Sequence, residues 1–252
     1  SLYDGARLSF GALRKYEHND LADLERLLER DQDKPGGRII VTDGVFSMSG
    51  TLARVPELIA LAEEFGAALM LDDAHAVGVV GEGGRGSASA YDLLDRVDLT
   101  TGTFSKSFAS LGGFVVGTHA VTEYIRHSAS AHIFSASMPP ANVATVLACL
   151  DILEAEPERL DRLAQISETM RTGFRALGFD VWTSQTPIIP VVVGDMMTCF
   201  QFWKDLLEEG VFVNAVVPPA VPAGQALMRT SYMATHTDEE LDFILDAFRK
   251  VG

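Results

Sequence analysis

The sequence predicts an α/β protein with a mainly parallel sheet, followed by a smaller α+β region. Three observations carry this reading. Apolar, β-branched runs at 38–44 (RIIVTDG) and 67–75 (AALMLDDAH) bracket a helical stretch, VPELIALAEEF at 55–65, which is the βαβ pattern of a buried parallel sheet. DLTTGTF and GGFVVG add two strand candidates on either side of a single lysine, Lys106. After about residue 135 the texture changes to longer helices, as a second layout requires.

The elements follow in chain order. In DLADLERLLER, Leu21, Leu24, Leu27 and Leu28 recur at helical spacing, with Asn19 or Asp20 as the cap. Beyond the lysine, helices are predicted at 140–155 and 157–177, strands near 179–183 and 188–193, a helix at 196–209 and a strand near 226–231. A final helix opens at THTDEEL, where Thr237 and Glu240 have the spacing of a capping box. Residues 1–135 are expected to be part of a large domain, 136–160 a connecting helix and 161–252 a small C-terminal domain. Repeats, low-complexity segments and flexible linkers are not expected.

Composition narrows the function. At 252 residues and 47% hydrophobic content the chain can bury a substantial core. Its most apolar run, ANVATVLACLDIL, is shorter than a membrane span and contains Asp151. The first residues lack the pattern of a signal peptide, and Cys149 and Cys199 are expected as free core thiols in a reducing, cytoplasmic setting. A net charge of −15 argues against nucleic acid, whose binding depends on clustered Lys and Arg. A small anionic ligand stays open, because a local pocket of N–H groups can oppose the global field.

In open α/β sheets reactive groups gather where strands end, which singles out TDGVFSMSG (42–50), DDAHAVGVVGEGGRGS (72–87) and TGTFSKS (101–107). In the second loop, Asp72 with His75 fits a helix cap with a solvated neighbour, half a metal site or a pair that orients a heteroaromatic cofactor. Metal is disfavoured, because His75, Asp72 and Asp73 have no Cys or His ligands at a matching spacing elsewhere. The glycines that follow lack the dinucleotide register after a strand. GTFSKS superficially looks like a phosphate-binding loop, but Ser105 stands where that motif needs glycine. What remains is a lysine amid hydroxyls and small residues. Such a lysine can reach a carbonyl while Thr103 and nearby N–H groups meet a phosphate, an arrangement suited to a Schiff base.

Taken together, TDGVFSMSG, LDDAHAVGVVGEGGRGS, TGTFSKSFASLGGFVVG, IFSASMPP and LMRTSYMATHT resemble the α-oxoamine synthases, pyridoxal 5'-phosphate (PLP) enzymes of aminotransferase fold type I. Within the family, VNAVVPPAVPAGQALMRTSYMATHT is most similar to the bacterial serine palmitoyltransferase branch. The resemblance implies an acyltransferase that condenses an amino acid with an acyl-CoA and releases CoA and carbon dioxide. Glycine C-acetyltransferase and 8-amino-7-oxononanoate synthase are the nearby alternatives. Another PLP enzyme of the same fold, or a non-catalytic partner subunit, stands further off.

By the same resemblance, Lys106 is the PLP-bearing lysine, Asp72 the partner of the pyridine nitrogen, and His75 and Ser47 contacts of the phenolic oxygen. Thr103 is implied as a phosphate ligand, Ser135 and Ser137 as residues reaching the phosphate of a partner subunit, and Arg229 as the holder of the substrate carboxylate. A homodimer is implied as well, while peripheral contact with a membrane stays open. The family's large domain begins before the point at which this chain starts, so we expect residues 1–252 to be part of a longer protein.

Overall fold

The computed structural model describes residues Ser1–Gly252 as two compact units, one comprising Ser1–Val45 with Ala53–Ile152 and the other Phe46–Leu52 with Leu153–Gly252.

In the first unit the chain runs through α1 (Leu2–Leu8), α2 (Leu21–Arg30), β1 (Arg38–Asp43), α3 (Val55–Glu64), β2 (Ala67–Asp72), β3 (Leu99–Thr103), β4 (Gly113–Gly117), α4 (His119–Ser128), α5 (Ser130–Ile133) and most of α6 (Pro140–Ala155). Helix α2 begins where the leucine spacing predicts, with the Asp20 carboxylate accepting from Asp23 N at 3.0 Å. Its buried residues are Leu24, Leu27 and Leu28. The βαβ reading also holds: α3 buries Val55, Leu58, Ile59 and Ala62 and packs on β2, where Leu69 and Leu71 are buried at the period of two that a strand imposes.

The sheet order is β1-β2-β3-β4. β1 and β2 pair in parallel from Arg38↔Ala67 to Asp43↔Asp72, and β2 and β3 from Met70↔Leu99 to Asp72↔Thr101. β4 departs from the expected parallel, buried layout. It pairs antiparallel to β3, because Phe104–Gly112 is too short for the crossover of about a dozen residues that parallel pairing needs. Val115 and Val116 on it are exposed.

The second unit holds α7 (Glu158–Ala176), β5 (Ile188–Gly194), α8 (Met196–Glu208), β6 (Asn214–Val216), β7 (Ala226–Ser231) and α9 (Asp238–Val251). Its three-stranded antiparallel sheet has β7 between β5 and β6. Phe174, Phe179, Phe202 and Phe248 meet edge to face, with centroids 4.8–6.3 Å apart, the geometry that the ring quadrupole favours. The capping box at Thr237 and Glu240 forms in both directions.

Three expectations are corrected here. The strand near 179–183 is a turn, in which Trp182 adopts φ +49° and the Asp180 side chain accepts from Trp182 N at 2.8 Å; local side-chain bonding outcompetes a ladder. The connection over 136–160 is not one helix, since α6 ends at Ala155 and Pro157 caps α7. Cys199 is fully buried, but Cys149 is only half-buried, on a helix whose apolar residues are spread around its circumference. Strand β6, with three residues, is too short to show a period.

The segment Phe46–Leu52 is stitched into the second unit. Gln185 N and Thr186 Oγ1 both donate to Gly50 O at 3.0 Å. Gly50 has φ +66°, and a Cβ there would lie 2.0 Å from Ile188 O, so this turn requires glycine.

Candidate functional site

In the first unit three carboxyl ends of strands converge. Asp43 closes β1, Asp72 closes β2 in register with it, and the lysine loop leaves β3 after Thr103. Paired residues on adjacent strands stand about 5 Å apart, so Asp43 and Asp72 are neighbours by construction. Burial pushes the Asp43 carboxyl up to about 6; the Asp72 charge adds to the rise, while the Ser1 amine and Lys106 pull it partway back. Lys106 thus lies within electrostatic reach of Asp43.

No helix directly follows Asp72, so it is not a helix cap; its Oδ1 accepts from Ala74 N at 3.0 Å within a turn. His75, half-buried, follows in the same turn.

The lysine loop is held from beneath. Phe104 N donates to Gly112 O at 3.0 Å and Ser110 N to Phe104 O at 2.8 Å, and the Phe104 ring contacts those of Phe108 and Phe114. Ser107 Oγ donates to Val77 O at 2.7 Å, which ties the loop to the turn carrying Asp72 and His75. Lys106 itself is exposed at the crest. Thr103 Oγ1 donates to Gly112 O at 3.2 Å and lies 2.8 Å from Ser105 Oγ. Two hydroxyls therefore stand together below the lysine. A lysine amine, paired hydroxyls and a carboxylate one strand away are the donor set that a phosphorylated pyridine aldehyde needs.

Ser135 and Ser137 lie in exposed chain between α5 and α6. Their neighbour Met138 packs where a side chain at Gly112 would be, so this stretch passes against the base of the lysine loop.

The second unit carries Ser47 and Arg229 together. Arg229 sits on the central strand β7, half-buried, and its Nε donates to Ser47 O at 2.6 Å. That bond fixes the guanidinium plane while its terminal nitrogens keep a two-pronged face. Burial lowers the Arg229 pKa.

Two features stand outside the residues predicted from sequence. The signal for Asp43 is its position at the end of a β-branched run, the rule that selects Asp72. The carbonyl of Ser47 as the Arg229 partner left no signal, because a backbone acceptor has no residue type.

The fold is an open α/β sheet with reactive side chains at the carboxyl ends of its strands, the class of protein in which such ends carry the chemistry. More narrowly, the chain belongs to the aminotransferase class I and II family, whose model matches residues 1–248. It is 50% identical over 248 residues to a serine palmitoyltransferase of Bacteriovorax stolpii, covering 98% of this chain and 59% of that protein. It is 44% identical to an 8-amino-7-oxononanoate synthase of Symbiobacterium thermophilum, covering 100% of this chain and 64% of the relative. A solved serine palmitoyltransferase with its PLP internal aldimine superposes at a TM-score of 0.94 with 35% identity, over 100% of this chain and 63% of that one. The resemblance to the α-oxoamine synthases is borne out, as is the aminotransferase fold. The chain spans about three fifths of the length of these relatives.

Proposed function

We propose that this chain is the greater part of a PLP-dependent α-oxoamine synthase that joins an amino acid, serine first, to a long-chain acyl-CoA, releasing CoA and carbon dioxide and yielding a 3-oxo amine. The observation that carries this is Lys106 at the crest of a strand-end loop, with Asp72 on the neighbouring strand and within electrostatic reach of the same carboxylate, Asp43. Support comes from the 50% identity to the Bacteriovorax stolpii enzyme.

PLP, when bound, supplies an electron sink for the bond-breaking at the amino acid's α-carbon. Lys106 Nζ is the covalent tether and, once released, the base that takes the α-proton. The Asp72 carboxylate holds a proton on the pyridine nitrogen, since an opposite charge within about 4–6 Å shifts a pKa by about 1–3 units. Thr103 Oγ1 hydrogen-bonds the phosphate, and His75 and Ser47 the phenolic oxygen. Ser135 and Ser137 reach the phosphate of the second copy in a homodimer. Arg229 grips the amino acid's carboxylate with its two terminal nitrogens. In the substrates, the α-carbon forms its bond to the thioester carbonyl as the C–S bond breaks and CoA leaves as the thiol. The carboxylate then departs as carbon dioxide and the α-carbon is reprotonated.

The large-domain role of 1–135 and the small-domain role of 161–252 belong to the same reading. So does a cytoplasmic setting with peripheral membrane contact; no helix is long and apolar enough to cross a membrane. The 44% identity to the Symbiobacterium thermophilum enzyme favours one second reading, an 8-amino-7-oxononanoate synthase type of reaction on a different amino acid and acyl chain.

The test is thiol release by the full-length protein with serine, glycine and alanine against a panel of acyl-CoAs. Release with serine and long chains is expected. Release confined to alanine or glycine shifts the assignment to the second reading, and no release with any pair refutes the acyltransferase.

A further inference from the structure

The residue after Asp72 has no part in the chemistry above, yet it is the more deeply buried of the two. Asp73 is 1% exposed. Its Oδ1 accepts from Ser87 Oγ at 2.5 Å and its Oδ2 from Ser87 N at 2.9 Å. Burial pushes its carboxyl up and the Asp72 charge adds to that, while the two Ser87 bonds pull it down.

Two glycines make room for this acid. A Cβ on Gly44 would lie 1.9 Å from Asp73 Oδ1 and 2.3 Å from Ser87 Oγ, and one on Gly86 would lie 2.2 Å from Asp73 Oδ2. The close of TDG and the GRGS end of the glycine-rich loop are thus explained by one buried carboxylate.

The backbone of Asp73 is the pivot at which β2 leaves the sheet. Its N–H donates to Thr101 O at 2.7 Å, and its carbonyl accepts from Ala76 N at 2.9 Å and Val77 N at 3.0 Å. Asp72 precedes this pivot and His75 lies inside the turn it closes. Asp73 follows directly on Asp72, so anchoring its side chain and its backbone restrains the orientation of Asp72.

We propose that Asp73, clamped by Ser87, is a positioning residue that sets the angle at which Asp72 and His75 meet the cofactor. This rests on the PLP reading above. Its action is geometric, through the two Ser87 bonds, and does not need the charge. Asparagine can reproduce both bonds, its oxygen accepting from Ser87 N and its amide donating to Ser87 Oγ.

The experiment compares full-length wild type with Asp73→Ala, Asp73→Asn and Ser87→Ala. It reads the visible-absorbance pH titration of the lysine-bound cofactor, PLP affinity, and amide exchange across 72–77 in the PLP-free protein. All readings are taken well below each melting temperature. Asp73→Ala is expected to move the titration midpoint, weaken PLP binding about tenfold to a hundredfold and speed exchange, with Ser87→Ala between it and wild type and Asp73→Asn close to wild type. If Asp73→Ala does not fold, Ser87→Ala carries the same comparison. A melting temperature that drops while titration and affinity stay put overturns the proposal, as does Asp73→Asn behaving like the alanine variant. Wild type that takes up no PLP on Lys106 removes the functional reading itself, a result distinct from both.

Discussion

The two units hold their candidate residues by different means. In the first unit, Asp43, Asp72 and Lys106 are brought together by sheet register and a short loop. In the second, Arg229 on β7 is oriented by one carbonyl, that of Ser47, on a turn pinned through Gly50. The first arrangement depends on which side chains stand at strand ends, and the second on where a backbone goes. Substitutions should therefore act through chemistry in the first unit and through turn geometry in the second.

The largest effect tests the first unit. Lys106→Ala is expected to abolish covalent attachment of PLP, so that borohydride reduction leaves no label on the 101–117 peptide. A label persisting on another lysine would break the assignment of the tether. The melting temperature of the PLP-free protein should barely move, because Lys106 is exposed.

Arg229→Lys comes next and tests the second unit. A lysine keeps the charge but loses the two-pronged face and the Nε bond to Ser47 O. A charge-assisted bond contributes about 1.5–3 kcal/mol, so kcat/KM for the amino acid should fall roughly tenfold to a hundredfold, with the acyl-CoA KM unchanged. An equal rise in both KM values would show that Arg229 supports the unit as a whole.

Gly50→Ala sharpens the contrast from the side of the backbone. The positive φ and the Ile188 carbonyl leave no place for a Cβ, and such strain costs about 1–3 kcal/mol. The expected result is a lower melting temperature together with a weaker hold on the amino acid, because the Ser47 carbonyl moves with the turn. A loss of stability alone would separate the turn from Arg229.

The same division marks what could be read in the residues. Helices α2, α3 and α9 announce themselves through leucine spacing, an apolar face and a capping box, and the strand-end rule selected the loops in which Asp72, His75, Thr103 and Lys106 lie. The direction of β4 was hidden in a loop length, and the turn at Trp182 in an Asp180 side chain that competes with the ladder. Pairing across long separations, such as Arg229 with Ser47, depends on topology and leaves no trace in local pattern. Asp43 is masked for a related reason: a lone acid before a glycine looks like a solvated cap until register sets it beside Asp72.

That acid supplies the smallest effect. Its folded pKa, about 6, lies above the ordinary carboxylate value of 3.8, so the folded state holds the proton more tightly than the unfolded chain. The penalty is absent below about pH 4 and grows as pH rises toward 6, which means Asp43 erodes the stability of its unit across that window. Asp43→Asn should remove the erosion. In the PLP-free protein the variant is expected to melt above wild type at pH 7, by no more than about 1 kcal/mol once solvent screening is allowed for, and level with it at pH 4. Equal differences at both pH values would mean that packing, not burial of the charge beside Asp72, sets the cost of this carboxylate. The contrast between the units would then lose its electrostatic half, leaving the register of β1 and β2 as a purely steric arrangement.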